Sequence, residues 1–114
     1  MIDKAKLEDS FLLIGLERIP FYIDLYLSSN KKFITLFDKY IAHNHIKKIT
    51  ILVHKTRGST AVFYDEELNK ILIAIEEKLL QNELIYDSEE IGIMKTSFKK
   101  FWAELISLKE YYSK

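Results

Sequence analysis

Apolar residues recur at helical spacing through most of this chain, and that period constrains the fold more than any other feature. Phe33, Leu36, Phe37, Tyr40 and Ile41 fall at i, i+3, i+4, i+7 and i+8, one stripe of a helix. Leu68, Ile71, Leu72, Ile75 and Leu79 repeat the pattern behind Asp65, a good N-cap, with Glu66 and Glu67 in the first turn. Phe98, Phe101, Trp102, Leu105, Leu108 and Tyr112 repeat it again behind Thr96 or Ser97. Upstream, Leu7, Phe11 and Ile14 mark a segment from Lys4 to Ile14, interrupted at Gly15. Pro20 suits the first turn of a further helix that runs to Leu27 and stops at Ser28-Ser29-Asn30.

Two stretches break the period. Ile49, Ile51 and Val53 alternate with Thr50, Leu52 and His54 in a run rich in β-branched residues. Thr56-Arg57-Gly58-Ser59 has turn chemistry, and Thr60 to Tyr64 can return as a second strand. So short an apolar run fits a helix as well, which leaves 46–64 either hairpin or helical. Further on, Leu84-Ile85-Tyr86-Asp87 and Ile91-Gly92-Ile93-Met94-Lys95 flank the polar Ser88-Glu89-Glu90 as a second hairpin. The expected fold is a single α+β domain over 1–114, mostly helical with two short β-hairpins.

Composition supports one core and removes whole classes of chemistry. With 114 residues, 48% of them apolar, the chain can bury a core and is not disordered. It has no cysteine, which excludes a disulfide scaffold, a thiolate metal site and a cysteine nucleophile. The apolar run from Phe11 to Leu27 carries Glu17, Arg18, Pro20 and Asp24 and reads as core rather than a membrane span. With no signal-peptide pattern at its start, a cytoplasmic protein without a membrane partner is expected.

The net charge of zero hides a sorting along the chain. Residues 39–64 hold five cations (Lys39, Lys47, Lys48, Lys55, Arg57), all three histidines and no carboxylate. Residues 65–90 hold nine carboxylates against Lys70 and Lys78. The two stretches can pair across the fold, or the basic one can face phosphates.

The remaining constellations are weaker. His43, His45 and His54 invite zinc, but i, i+2 spacing turns the first two apart on a helix, so no metal is expected. Thr56-Arg57-Gly58-Ser59-Thr60 has the makings of an anion nest, without the glycines and following helix of a phosphate loop. The pairs Glu66-Glu67, Glu76-Glu77 and Glu89-Glu90 diverge on a helix and read as solvated, so no catalytic residue is assigned. Most aromatics lie on the helical stripes, while Tyr22, Tyr26, Phe63, Tyr64 and Tyr111 could line a dimer seam.

Leu79 to Leu105, reading LLQNELIYDSEEIGIMKTSFKKFWAEL, resembles the closing part of winged helix-turn-helix regulators. Leu84-Ile85 takes the place of the strand after the recognition helix, and Ile93-Met94-Lys95-Thr96 that of the return strand. The resemblance implies a winged-helix-like C-terminal half and a homodimer built through the last helix, Phe98 to Tyr112. It departs from the family in an acidic recognition helix (Glu66, Glu67, Glu76, Glu77) and an acidic wing tip.

The sequence therefore points to a small non-enzymatic nucleic-acid-binding regulatory or accessory protein that uses no cofactor. Lys47, Lys48, His54, Lys55 and Arg57 are its expected nucleic-acid contacts. The alternative is a protein-interaction module such as an inhibitor, immunity protein or assembly subunit, suggested by the acidic 65–90 stretch beside broad apolar faces.

Overall fold

The computed structural model describes residues 1–84 and 88–114. Its helices are α1 (Lys4–Ser10), α2 (Ile19–Asn30), α3 (Phe33–Ala42), α4 (Ile46–Ala61), α5 (Glu66–Leu80) and α6 (Glu89–Tyr112), with a 3-10 turn at Leu16–Arg18 before α2. Each of α2, α4, α5 and α6 packs on two of the others, α2 on α4, α4 on α5, α5 on α6 and α6 on α2. The ring closes as a four-helix bundle, with α3 laid against α4. The molecule is elongated, 44 × 21 × 20 Å.

Several helices form where the period places them. Pro20 sits in the first turn of α2. Asp65 caps α5 by accepting a hydrogen bond from the Leu68 amide at 3.1 Å. α3 buries Phe33 and Phe37. α2 runs on through Ser28 and Ser29 to Asn30, whose buried amide donates to the Tyr26 carbonyl at 3.0 Å.

Helix stands in place of the first hairpin as far as Ala61 and of the return strand of the second, and the α+β expectation is corrected to an all-helical fold among the described residues. In α4, Ile49, Val53, Thr56 and Thr60 recur at i, i+4, i+7 and i+11 and are the buried face. That stripe lets one helix face bury four side chains, and burial outweighs the β propensity of Ile, Val and Thr. The hydroxyls that suggested a turn bond within and between helices: Ser59 to the Lys55 carbonyl at 3.2 Å on the exposed side of α4, and Thr60 with the Tyr26 hydroxyl at 2.8 Å in the core.

At the second site, Ile91, Met94, Phe98, Phe101, Leu105 and Leu108 form one continuous buried stripe of α6. The proposed return strand, 91–95, is the first part of that helix, and Thr96 and Ser97 lie inside it rather than capping it. Ser88-Glu89-Glu90 is a helix start, not a wing tip, with Glu89 and Glu90 in the first turn where the macrodipole favours negative charge. Of the proposed outgoing strand, Ile85-Tyr86-Asp87 lies outside the described residues. With no strand where the wing returns, the winged-helix architecture is withdrawn.

The core runs the length of the bundle, and Tyr26 is its junction. The ring contacts Phe63, Phe101 and Trp102 at centroid distances of 5.5, 5.3 and 6.4 Å, joining α2, the α4–α5 loop and α6. Cross-helix ion pairs fasten the outside: Asp24 with Lys109 at 2.7 Å, Asp38 with Lys95 at 2.5 Å, and Lys78 with Glu90.

Candidate functional site

All five basic-segment residues lie on α4, whose buried stripe turns them outward or to the flanks. Lys47 and Lys48 occupy its first turn, His54 and Lys55 its middle, and Arg57 the turn beyond. They do not form one uniform cationic patch. The α4–α5 loop is short, so the two helices run antiparallel and bring Glu76 of α5 beside the middle of α4.

Glu76 holds two of the five residues. Its Oε2 lies 2.5 Å from His54 Nδ1, and its Oε1 accepts from Arg57 Nε at 2.9 Å. A carboxylate offers acceptors only, so the Nδ1–H donates and Nε2 is the imidazole's free nitrogen. The Glu76 side chain keeps only 13% exposure while His54 keeps 64%. A shielded carboxylate thus orients an imidazole that stands in solvent. Lys48 lies over the Tyr40 ring, 5.6 Å from its centroid. Lys47 and Lys55 are exposed and have no ion-pair partner among the described residues.

The surface around His54 is open. Gly58, one turn on, would meet nothing within 4 Å if it carried a Cβ. Ile51 and Val62 are exposed apolar side chains on the same outer face of the α4 region. Beyond Val62, a shallow apolar groove between α2 and α4 is lined by Tyr22, Leu25, Ser29, Ser59 and Val62.

The other constellations resolve plainly. His43 and His45 stack with ring centroids 6.1 Å apart at the end of α3, and His43 Nδ1 bonds the Lys39 carbonyl at 2.8 Å. No group of three metal-binding side chains occurs among the described residues. The Thr56–Thr60 segment is helix interior, so its amides serve the helix and make no anion nest.

Glu76 is the residue that sequence reasoning missed, because the acidic pairs read as solvated. The signal was available once α4 is a helix: folding an antiparallel pair about the 62–65 loop sets 76 level with about 51, one turn from 54 and within reach of the long Arg57 side chain. No helix of the described residues is long and apolar enough to cross a membrane. Comparison with protein-family models, curated proteins and solved structures gives no match.

Proposed function

We propose that this chain is a non-catalytic protein-interaction module whose docking face accepts a phosphoryl group on His54. The observation that carries the reading is the pairing of an exposed imidazole with a shielded carboxylate, Nδ1 tied to Glu76 at 2.5 Å and Nε2 open. Histidine is among the side chains that form covalent intermediates, and a carboxylate on one ring nitrogen orients the other as a nucleophile. The Nε2 lone pair attacks the phosphorus of a phosphorylated partner, the N–P bond forms, and the partner's leaving oxygen departs with the electron pair of its P–O bond. Glu76 then balances positive charge developing on the ring. Lys55 and Arg57, next to His54 in sequence and on the following turn, supply the cationic surroundings a phosphoryl group requires.

The site's shape supports a protein donor over a small substrate. A convex helix face offers a small substrate no binding pocket, so efficient positioning has to come from a docked surface, although a small reactive donor can still reach the exposed Nε2 by collision. Gly58 gives that surface a close approach, and Ile51 and Val62 give it apolar contact.

The test uses phosphoramidate as a generic donor, with phosphohistidine followed by phosphorus NMR and peptide mapping. Acid-labile phosphate on His54, in preference to His43 and His45, is expected, and His54→Gln should remove it. Phosphate spread equally over the three histidines, or absent from His54, would sink the reading.

A nucleic-acid partner for the same face is the second reading, favoured by the unpaired Lys47 and Lys55. With two to three phosphate contacts, affinity should fall about 10- to 40-fold between roughly 50 and 200 mM salt. Fluorescence anisotropy on duplex and single-stranded DNA measures it, and no binding at the lower salt sets it aside.

A further inference from the structure

A run of exposed apolar side chains follows α1, and its last member, Leu25, borders the groove that also holds Val62. The turn after α1 presents Leu12, Leu13 and Ile14, and Leu16, Phe21 and Leu25 continue the surface along the 3-10 turn and α2. Leu13 is 102% exposed, Leu12 68% and Phe21 58%. The six fall within fourteen positions of one another, on the turn, the 3-10 segment and the first two turns of α2.

We infer that this surface pairs two copies of the chain across a two-fold axis. Area is the first argument. Fully exposed aliphatic side chains offer roughly 60–120 Å² each and an aromatic ring 150–250 Å², so the six at their actual exposure offer roughly 300–500 Å². Apolar atoms make up about 65% of a homodimer interface, so two such patches imply a total of roughly 900–1,500 Å². That reaches the lower end of specific, stable interfaces, about 1,200–2,000 Å².

Charge is the second argument, and it selects a second copy over an unrelated partner. Glu17 and Arg18 sit inside the patch, adjacent in sequence and opposite in sign, and neither has an ion-pair partner among the described residues. A two-fold axis places the same patch on both sides, so Arg18 of each copy can meet Glu17 of the other. Either a uniformly acidic or a uniformly basic partner would leave one of the two charges opposed.

The measurement is sedimentation velocity of the full chain over a concentration series from micromolar to about 200 μM, a weak-dimer range for an interface this small. A monomer–dimer equilibrium is expected for the wild type, and a monomer throughout for Leu13→Glu, which alters a fully solvated side chain. Arg18→Glu and Glu17→Arg should each be monomeric by themselves, while an equimolar mixture of the two dimerises because the mixed pair restores both bridges. A wild type that stays monomeric at the highest concentration overturns the inference. So does a Leu13→Glu variant that associates as the wild type does, or a mixture that associates no better than its components.

Discussion

Glu76 divides its two oxygens between His54 and Arg57, so one substitution separates orientation from packing. Glu76→Gln keeps the size and one acceptor but loses the charge, and Gln can present its amide N–H₂ to the imidazole instead. Both bonds lie near the surface, with Arg57 about a third exposed, so the stability loss should be small, about 1 kcal/mol by urea denaturation. The larger effect falls on His54. Nitrogen NMR of the imidazole should show the ring losing its preference for Nδ1–H, and phosphorylation from phosphoramidate should slow by about tenfold or more. Glu76→Asp, which retains the charge on a shorter arm, should recover part of the rate. If Glu76 only braced the helices, the rate and the tautomer would stay unchanged while stability fell.

Gly58 reports on α4 as an element. A glycine in a helix interior is less stable than alanine by roughly 0.5–1 kcal/mol, and here nothing stands within 4 Å of the missing Cβ. Gly58→Ala should therefore stabilise the protein by about that amount in urea denaturation, whereas in a hairpin turn needing positive φ it would destabilise. The same variant should slow transfer from a protein phosphodonor more than from phosphoramidate, because the added methyl group obstructs a docking surface and leaves the imidazole free. Helices α3 and α5 and the final stripe of α6 were legible because their core positions repeat at 3.6 residues with large aliphatic and aromatic side chains. α4 was not, because half of its buried stripe is Thr56 and Thr60, which a hydropathy reading counts as polar, and because Ile51 on its outer face completes a false alternation with Ile49 and Val53. The candidate site shared that fate. Its five cationic and imidazole residues stood out by charge, but Glu76, the carboxylate that holds two of them, follows only once α4 is a helix antiparallel to α5.

Across the whole molecule, Tyr26 is the point where the bundle meets alkaline pH. The ring is 3% exposed, its hydroxyl bonds Thr60 at 2.8 Å, and it touches aromatic side chains of α6 and of the α4–α5 loop. Burial pushes the phenol well above its ordinary value; the Thr60 bond pulls it partly back, and the charge of Asp65 adds to the rise. The folded state thus keeps Tyr26 neutral where the unfolded chain, titrating near 10, has released the proton. Below that pH the two states bind equally many protons at this site and its contribution is fully present. Above it the unfolded state binds fewer, so stability falls as pH rises, by about 1.4 kcal/mol per pH unit from this group until the folded phenol itself ionises. Because the core is one continuous cluster, the loss should appear as a single cooperative transition at lower urea rather than as local fraying. Tyr26→Phe isolates the effect from the other tyrosines and lysines. Near neutral pH it should cost about 1 kcal/mol for the lost hydrogen bond to Thr60. Between neutral pH and pH 11 the wild type should lose roughly 1.4 kcal/mol more than the variant, bringing the two together or crossing them. Parallel pH profiles for the two proteins would mean that Tyr26 ionises as readily in the bundle as in water.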